Sequence, residues 1–137
     1  MGGDGNETLS LVLASGTDDR LTGASVLVVG AAAMGRPVEV LLQYWALDAF
    51  RADRITKDHG LSAEAGEEGR ARWERFPGLH WSEMLRQAKE IGDVSIHACS
   101  LSMDLLGIGP EDLDPLVDDV RGVAAFLGSA DGAITYV

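Results

Sequence analysis

The stretch VSIHACSLSMDLLGIG, Val94 to Gly109, decides how this chain is read. Its first half reads as a buried strand that stops at Cys99, and after a polar step at Ser100 and Ser102 the second half reads as the start of a helix. A strand that runs straight into a helix is the repeating unit of a parallel α/β sheet. The junction is occupied by Cys99, the one cysteine of the chain.

Working outward, the same alternation recurs. On the N-terminal side, WSEMLRQAKEIG places Trp81, Met84, Leu85, Ala88 and Ile91 three or four residues apart, with Gly92 where a helix ends. LSLVLA, Leu9 to Ala14, is a short aliphatic run bounded by the turn formers Ser15, Gly16, Thr17 and Asp18, and reads as a buried first strand. PVEVLLQYW, Pro37 to Trp45, opens on a residue suited to a strand's first position and reads as a second strand. DVSIHA, Asp93 to Ala98, is the third strand, and AITYV, Ala133 to Val137, closes the chain as the last. Leu116, Val117, Val120, Val123, Ala124 and Leu127 repeat the helical spacing, with Gly122 as a possible break. Strands separated by helices pair in parallel, with helices over both faces of the sheet. The expectation is a doubly wound α/β sandwich around a mostly parallel sheet of four to five strands, formed by residues 9–137 as one domain, with residues 1–8 as a flexible, glycine-rich lead-in.

Two segments stand apart from this pattern. SVLVVGAAAMG, Ser25 to Gly35, has the front of a dinucleotide-binding unit, but Gly30 and Gly35 are five apart and Ala32 stands where the tight turn needs glycine. As a helix, residues 22–34 are apolar on all sides, as expected of a segment packed between the sheet and another subunit. Residues 51–78 are charged, glycine-punctuated and poor in aliphatics. They read as a loop-rich excursion, suited to a lid or to an oligomer contact.

Composition bounds the function. The 137 residues, 46% of them hydrophobic, suffice for one domain with its own core. A net charge of −11, from 22 acidic and 11 basic residues, repels phosphate backbones and anionic membranes, which argues against nucleic acid as a partner. The longest apolar run is about half of a membrane span. A lone cysteine forms no internal disulfide and no secretory signal is visible, so a reducing cytoplasm is the expected location.

In such sheets chemistry gathers beyond the carboxyl ends of the strands. A helix beginning at Ser100 would set its positive end beside Cys99 and favour the thiolate. Against that stands a plain alternative, a small buried hydrophobe between Ala98 and Leu101. His97 and Cys99 share a strand face, but His59 and His80 have no spacing that would join them as metal ligands, and His97 reads as a hydrogen-bonded core histidine. No metal or other cofactor is expected.

HACSLSMDLLGI, His97 to Ile108, resembles the cysteine-bearing motif of the DsrE/DsrF-like sulfur-relay family, whose members carry an Ala-Cys-x-x-Ser-Met-Asp type sequence before a Leu-Gly-Ile turn. LSLVLASGTDDRL resembles that family's first strand and following loop, AAAMGRPVEVLLQYWALDAF its first helix end and second strand, and GVAAFLGSADGAITYV its closing helix and strand. The resemblance implies a flavodoxin-like sheet, homotrimers or hexamers, and a cysteine that accepts sulfane sulfur as a persulfide and passes it to a partner. Cys99 is then the nucleophile and the helix from Ser100 its anion-stabilising neighbour. Ser15, Gly16 and Thr17 are expected to face Cys99 across the site mouth, and Tyr44 to line it from the end of the second strand. Ser102, Met103 and Asp104 belong to the motif, though a helix N-terminus also favours Asp104. The implied partners are sulfur donor and acceptor proteins or small sulfane-sulfur species. The competing reading is an oligomeric binding or scaffold module in which Cys99 is structural.

Overall fold

The computed structural model describes residues 7–137, so most of the expected lead-in lies outside the described residues. Five parallel strands, β1 (Leu9–Leu13), β2 (Val38–Leu42), β3 (Val94–Cys99), β4 (Asp119–Arg121) and β5 (Ile134–Tyr136), form one sheet in the order β4-β3-β2-β1-β5. The helices are α1 (Asp18–Ala33), α2 (Tyr44–Ala49), α3 (Gly66–Glu74), α4 (Trp81–Ile91), α5 (Ser100–Leu106) and α6 (Val123–Ser129). The flavodoxin-like expectation holds. Among the described residues no helix is long and apolar enough to cross a membrane.

Side-chain alternation divides the sheet into two unlike faces. Leu11, Leu13, Val38, Val40, Leu42, Val94, Ile96 and Ala98 point to the face packed by α1, α2, α4 and Met103 of α5, which carries the large core. On the opposite face Val12, Leu41 and Cys99 are covered by Phe126 of α6. Phe126 is the one buried residue of that helix. This asymmetry follows from topology. The connections from β1 through β4 all step the same way across the sheet, and only the link from β4 back to β5 crosses the other side.

Two expectations are corrected. The second strand ends at Leu42, not Trp45, because Tyr44 takes a left-handed φ of 48° and opens α2. The apolar spacing over 116–127 is not one helix: Asp119–Arg121 is an edge strand and Gly122 is the N-cap of α6. Asp118 anchors that strand, its backbone N–H donating to the Ile96 carbonyl at 2.7 Å and its carboxylate accepting the Ile96 N–H at 2.8 Å. The excursion at 51–78 contains α3, a nine-residue helix without a buried residue. Helix α1 runs from Asp18 to Ala33 and buries Leu21, Ala24, Val28 and Ala32, while Val26, Leu27 and Met34 lie exposed on and just beyond its outer side. The expected helix over 81–92 is α4.

His80 caps α4: its Nδ1 accepts the Ser82 N–H at 3.2 Å. Burial lowers the pKa of His80, with the nearby charges of Asp18 and Glu83 opposing and that of His59 assisting. A depressed folded-state pKa means that the unfolded chain binds the proton more readily. Stability conferred by neutral His80 is therefore present above the ordinary histidine value of 6.5 and is lost as pH falls below it. Thermal unfolding is expected to shift to lower temperature between pH 7 and pH 5, and by less in His80→Asn, which keeps a capping acceptor that does not titrate. Equal shifts in both proteins would refute this assignment.

Candidate functional site

Cys99 is the last residue of β3 and the N-cap of α5, with extended backbone at φ −69° and ψ 121°. Its side chain lies on the α6 face and is 1% exposed, packed with Val12, Leu41 and Phe126. The Gln43 side-chain amide reaches the thiol, with Nε2 4.0 Å from Sγ. Gln43 follows β2, whose register sets Leu42 beside Ala98, so the amide comes to the thiol from the neighbouring strand end. Cys99 thus sits where the β–α junction was expected, but under a cover.

The motif residues after it divide by helical phase. Ser100 and Asp104 are exposed, whereas Ser102 and Met103 are buried, Met103 in the large core. Ser102 Oγ accepts the Tyr44 N–H at 3.0 Å. This bond ties α5 to the strained bend at Tyr44, a non-glycine residue in a conformation that costs about 1–3 kcal/mol unless its surroundings hold it. Tyr44 and Ser102 therefore shape the β2–α2 bend that delivers Gln43 to the thiol.

The loop after β1 does not join Cys99. Ser15, Gly16 and Thr17 line a separate cavity of about 370 Å³ with Trp45, Asp48 and Arg54, among others, and Cys99 is not part of its wall. The two hydroxyls are 3.3 Å apart, and Ser15 Oγ also accepts the Thr17 N–H at 3.4 Å. Gly16 is fixed by space: a Cβ there would lie 2.3 Å from the Trp45 carbonyl oxygen. Ser15 to Thr17 follow β1, whereas Cys99 ends β3 on the α6 face, with β2 between the two strands.

His97, read from the sequence as a hydrogen-bonded core histidine, lies next to the thiol with three partners that the sequence did not single out, Glu39, Asp119 and Arg121. His97, two residues before Cys99 on the same face, is 2% exposed. Its Nε2 is 2.6 Å from Glu39 Oε1 and its Nδ1 is 2.5 Å from Asp119 Oδ1. Arg121 reaches both carboxylates, at 3.6 and 3.7 Å. Ionised carboxylates only accept, so both contacts are complete only with a proton on each ring nitrogen or on one carboxyl group. Either way both nitrogens are engaged, which leaves His97 no lone pair to serve Cys99 as a base. The ring of Phe126 meets that of His97 edge-on at 6.4 Å between centroids. Register completes the picture, since His97 pairs with Asp119 and Cys99 with Arg121 across β3 and β4. The strand bearing this network leads directly into the helix that covers the thiol.

Fold and site together define a class: a flavodoxin-like α/β protein with one cysteine where its third strand meets a short helix. Residues 78–135, which include that junction, match the DsrE/DsrF/DrsH-like family, so the resemblance read from the motif around Cys99 is shown. The chain is 28% identical to the uncharacterized protein YrkE of Bacillus subtilis (strain 168), over 89% of this chain and 90% of that one. Its fold is similar to that of MTH1491, a protein of unknown function from Methanobacterium thermoautotrophicum, with a TM-score of 0.62 over 96% of this chain and 100% of the other at 17% identity.

Proposed function

We propose that the protein is a sulfur carrier or sulfurtransferase of the DsrE/DsrF type, with Cys99 as its acceptor. The Cys99 thiolate attacks the outer sulfur of a donor persulfide, a new S–S bond forms as the donor's S–S bond breaks, and the donor thiolate leaves. An acceptor thiolate then attacks the outer sulfur of the Cys99 persulfide and returns Cys99 as thiolate. No electrons are gained or lost overall, so neither metal nor redox cofactor is called for. One observation carries the reading: the sole cysteine stands at the β3–α5 junction inside the segment that matches the sulfur-relay family. Gln43 supplies an N–H donor from the side of β2.

Because Cys99 is buried, this reading requires α6 to move. Phe126 is the one buried residue of the helix, it belongs to the small cluster and not to the large core, and Gly122 precedes it, so displacement of α6 uncovers the thiol without breaking the large core. A cytoplasmic location goes with this reading, as does assembly into a homotrimer or hexamer through the apolar residues exposed along α1. Burial of the thiol among apolar side chains favours the second reading, a scaffold or binding subunit with a structural cysteine.

Intact-protein mass spectrometry after incubation with polysulfide distinguishes the two, on wild type and Cys99→Ser. The expected result is a gain of one or more sulfur atoms on native wild type alone, reversed by a thiol reductant. If native wild type gains no sulfur and its thiol is alkylated only after denaturation, the structural reading stands.

A further inference from the structure

On the other side of the sheet, between α1, α3 and residues 76–81, lies a cavity of about 170 Å³. Its wall is formed by Trp73, Phe76 and Trp81 together with Leu79, His80 and Asp18. Two of the three tryptophans of the chain meet there. We propose that this cavity binds an organic cation, a small quaternary ammonium compound, held by Asp18 and the surrounding aromatic rings.

The unanswered charge of Asp18 points to the ligand. Asp18 is 9% exposed. Its Oδ1 accepts the Trp81 indole N–H at 3.0 Å and its Oδ2 the backbone N–H of His59 at 3.0 Å. Both donors are neutral, and among the described residues no lysine or arginine forms an ion pair with this carboxylate. His80 does not answer the charge either. Its Nδ1 accepts a hydrogen bond from Ser82 N–H, as in a neutral ring. The N-terminus of α1 offsets part of the charge. A carboxylate buried beside a cavity and lacking a counter-ion still favours a cation there.

The walls select among cations. Hard metal ions such as Ca²⁺ and Mg²⁺ require several oxygen ligands, which aromatic walls do not supply, and among the described residues no three His, Cys, Asp or Glu side chains gather to hold a metal. A primary ammonium would leave N–H donors unpaired against the rings. An alkylated ammonium carries its charge on an apolar surface and is attracted to ring faces. The volume is below the ~300–1,000 Å³ of sites for drug-sized ligands, which suits a trimethylammonium group with a short tail. Trp73 and Phe76, 6.4 Å apart between centroids, come from α3 and the residues after it, an outer layer with no buried residue.

Isothermal titration of the full chain with choline, and with its uncharged isostere 3,3-dimethyl-1-butanol, tests the proposal. Saturable one-to-one binding of choline is expected, at least tenfold tighter than the isostere. Asp18→Asn should abolish the difference between the two. Trp73→Leu, which keeps an apolar wall, should weaken choline by about two- to fivefold and leave the isostere unchanged. Absence of saturation by choline or tetramethylammonium in the millimolar range, or equal affinity for choline and the isostere, would overturn it. The wild-type comparison and Trp73→Leu decide the matter even if Asp18→Asn does not fold. None of these readouts involves Cys99.

Discussion

Phe126→Ala is expected to raise the alkylation rate of native Cys99 by about tenfold or more and to cost the fold about 3 kcal/mol. The reason is the thinness of the cover. Phe126 is 2% exposed and is the one residue of α6 that enters the packing against Val12, Leu41 and Cys99. Lifting α6 off the sheet loses that ring's burial and little else, so truncating the ring removes most of what holds the cover closed. Every 1.4 kcal/mol taken from the opening free energy multiplies the open population by ten. Alkylation kinetics on the folded protein, read beside urea unfolding, separate local opening from global loss. If alkylation rises only in proportion to global unfolding, α6 is not an independent cover.

The second large effect is expected at His97. His97→Ala leaves Glu39 and Asp119 facing one another and Arg121 on the same strand face, with a void where the ring stood. Breaking a fully buried ionic cluster costs roughly 3–5 kcal/mol. Here Glu39 and Asp119 keep side-chain exposures of 29% and 50%, so solvent relieves part of the penalty. A loss of about 2 kcal/mol in urea unfolding is expected. A double-mutant cycle with Glu39→Gln should return a coupling of about 1 kcal/mol. Additivity would mean that His97 acts by packing alone. Coupling that reappears in the alkylation rate of Cys99 would tie the network to the cover, since β4 carries Asp119 and Arg121 and runs into α6.

Much of the fold could be read from local pattern. Leu9 to Leu13 and Val94 to Cys99 are short aliphatic runs that only a sheet buries on both sides, and Trp81 to Ile91 carries a helical stripe ended by glycine. The failed glycine spacing at Gly30 correctly left that segment as helix. Strand β4 escaped notice because it has three residues at a sheet edge, half of whose hydrogen-bonding groups need no strand partner. Its Val120 happened to fall in step with a helical repeat. The bend at Tyr44 was hidden for another reason: a tyrosine with positive φ has no local signature, and it is held from 58 residues away by Ser102.

The candidate site divides along the same line. The sequence by itself determined that a lone cysteine ends a buried strand and begins a helix, because both facts are written in neighbouring residues. Only the tertiary structure decided which face of the sheet the thiol enters, that Phe126 covers it, and that Glu39, Asp119 and Arg121 close around His97. It also decided that Ser15 to Thr17 line a different cavity. These relations join residues far apart in the chain through strand register and the hand of the crossovers. Side-chain parity in a strand flips with a single residue of offset, so no reading of spacing along one segment fixes what another segment lays against it.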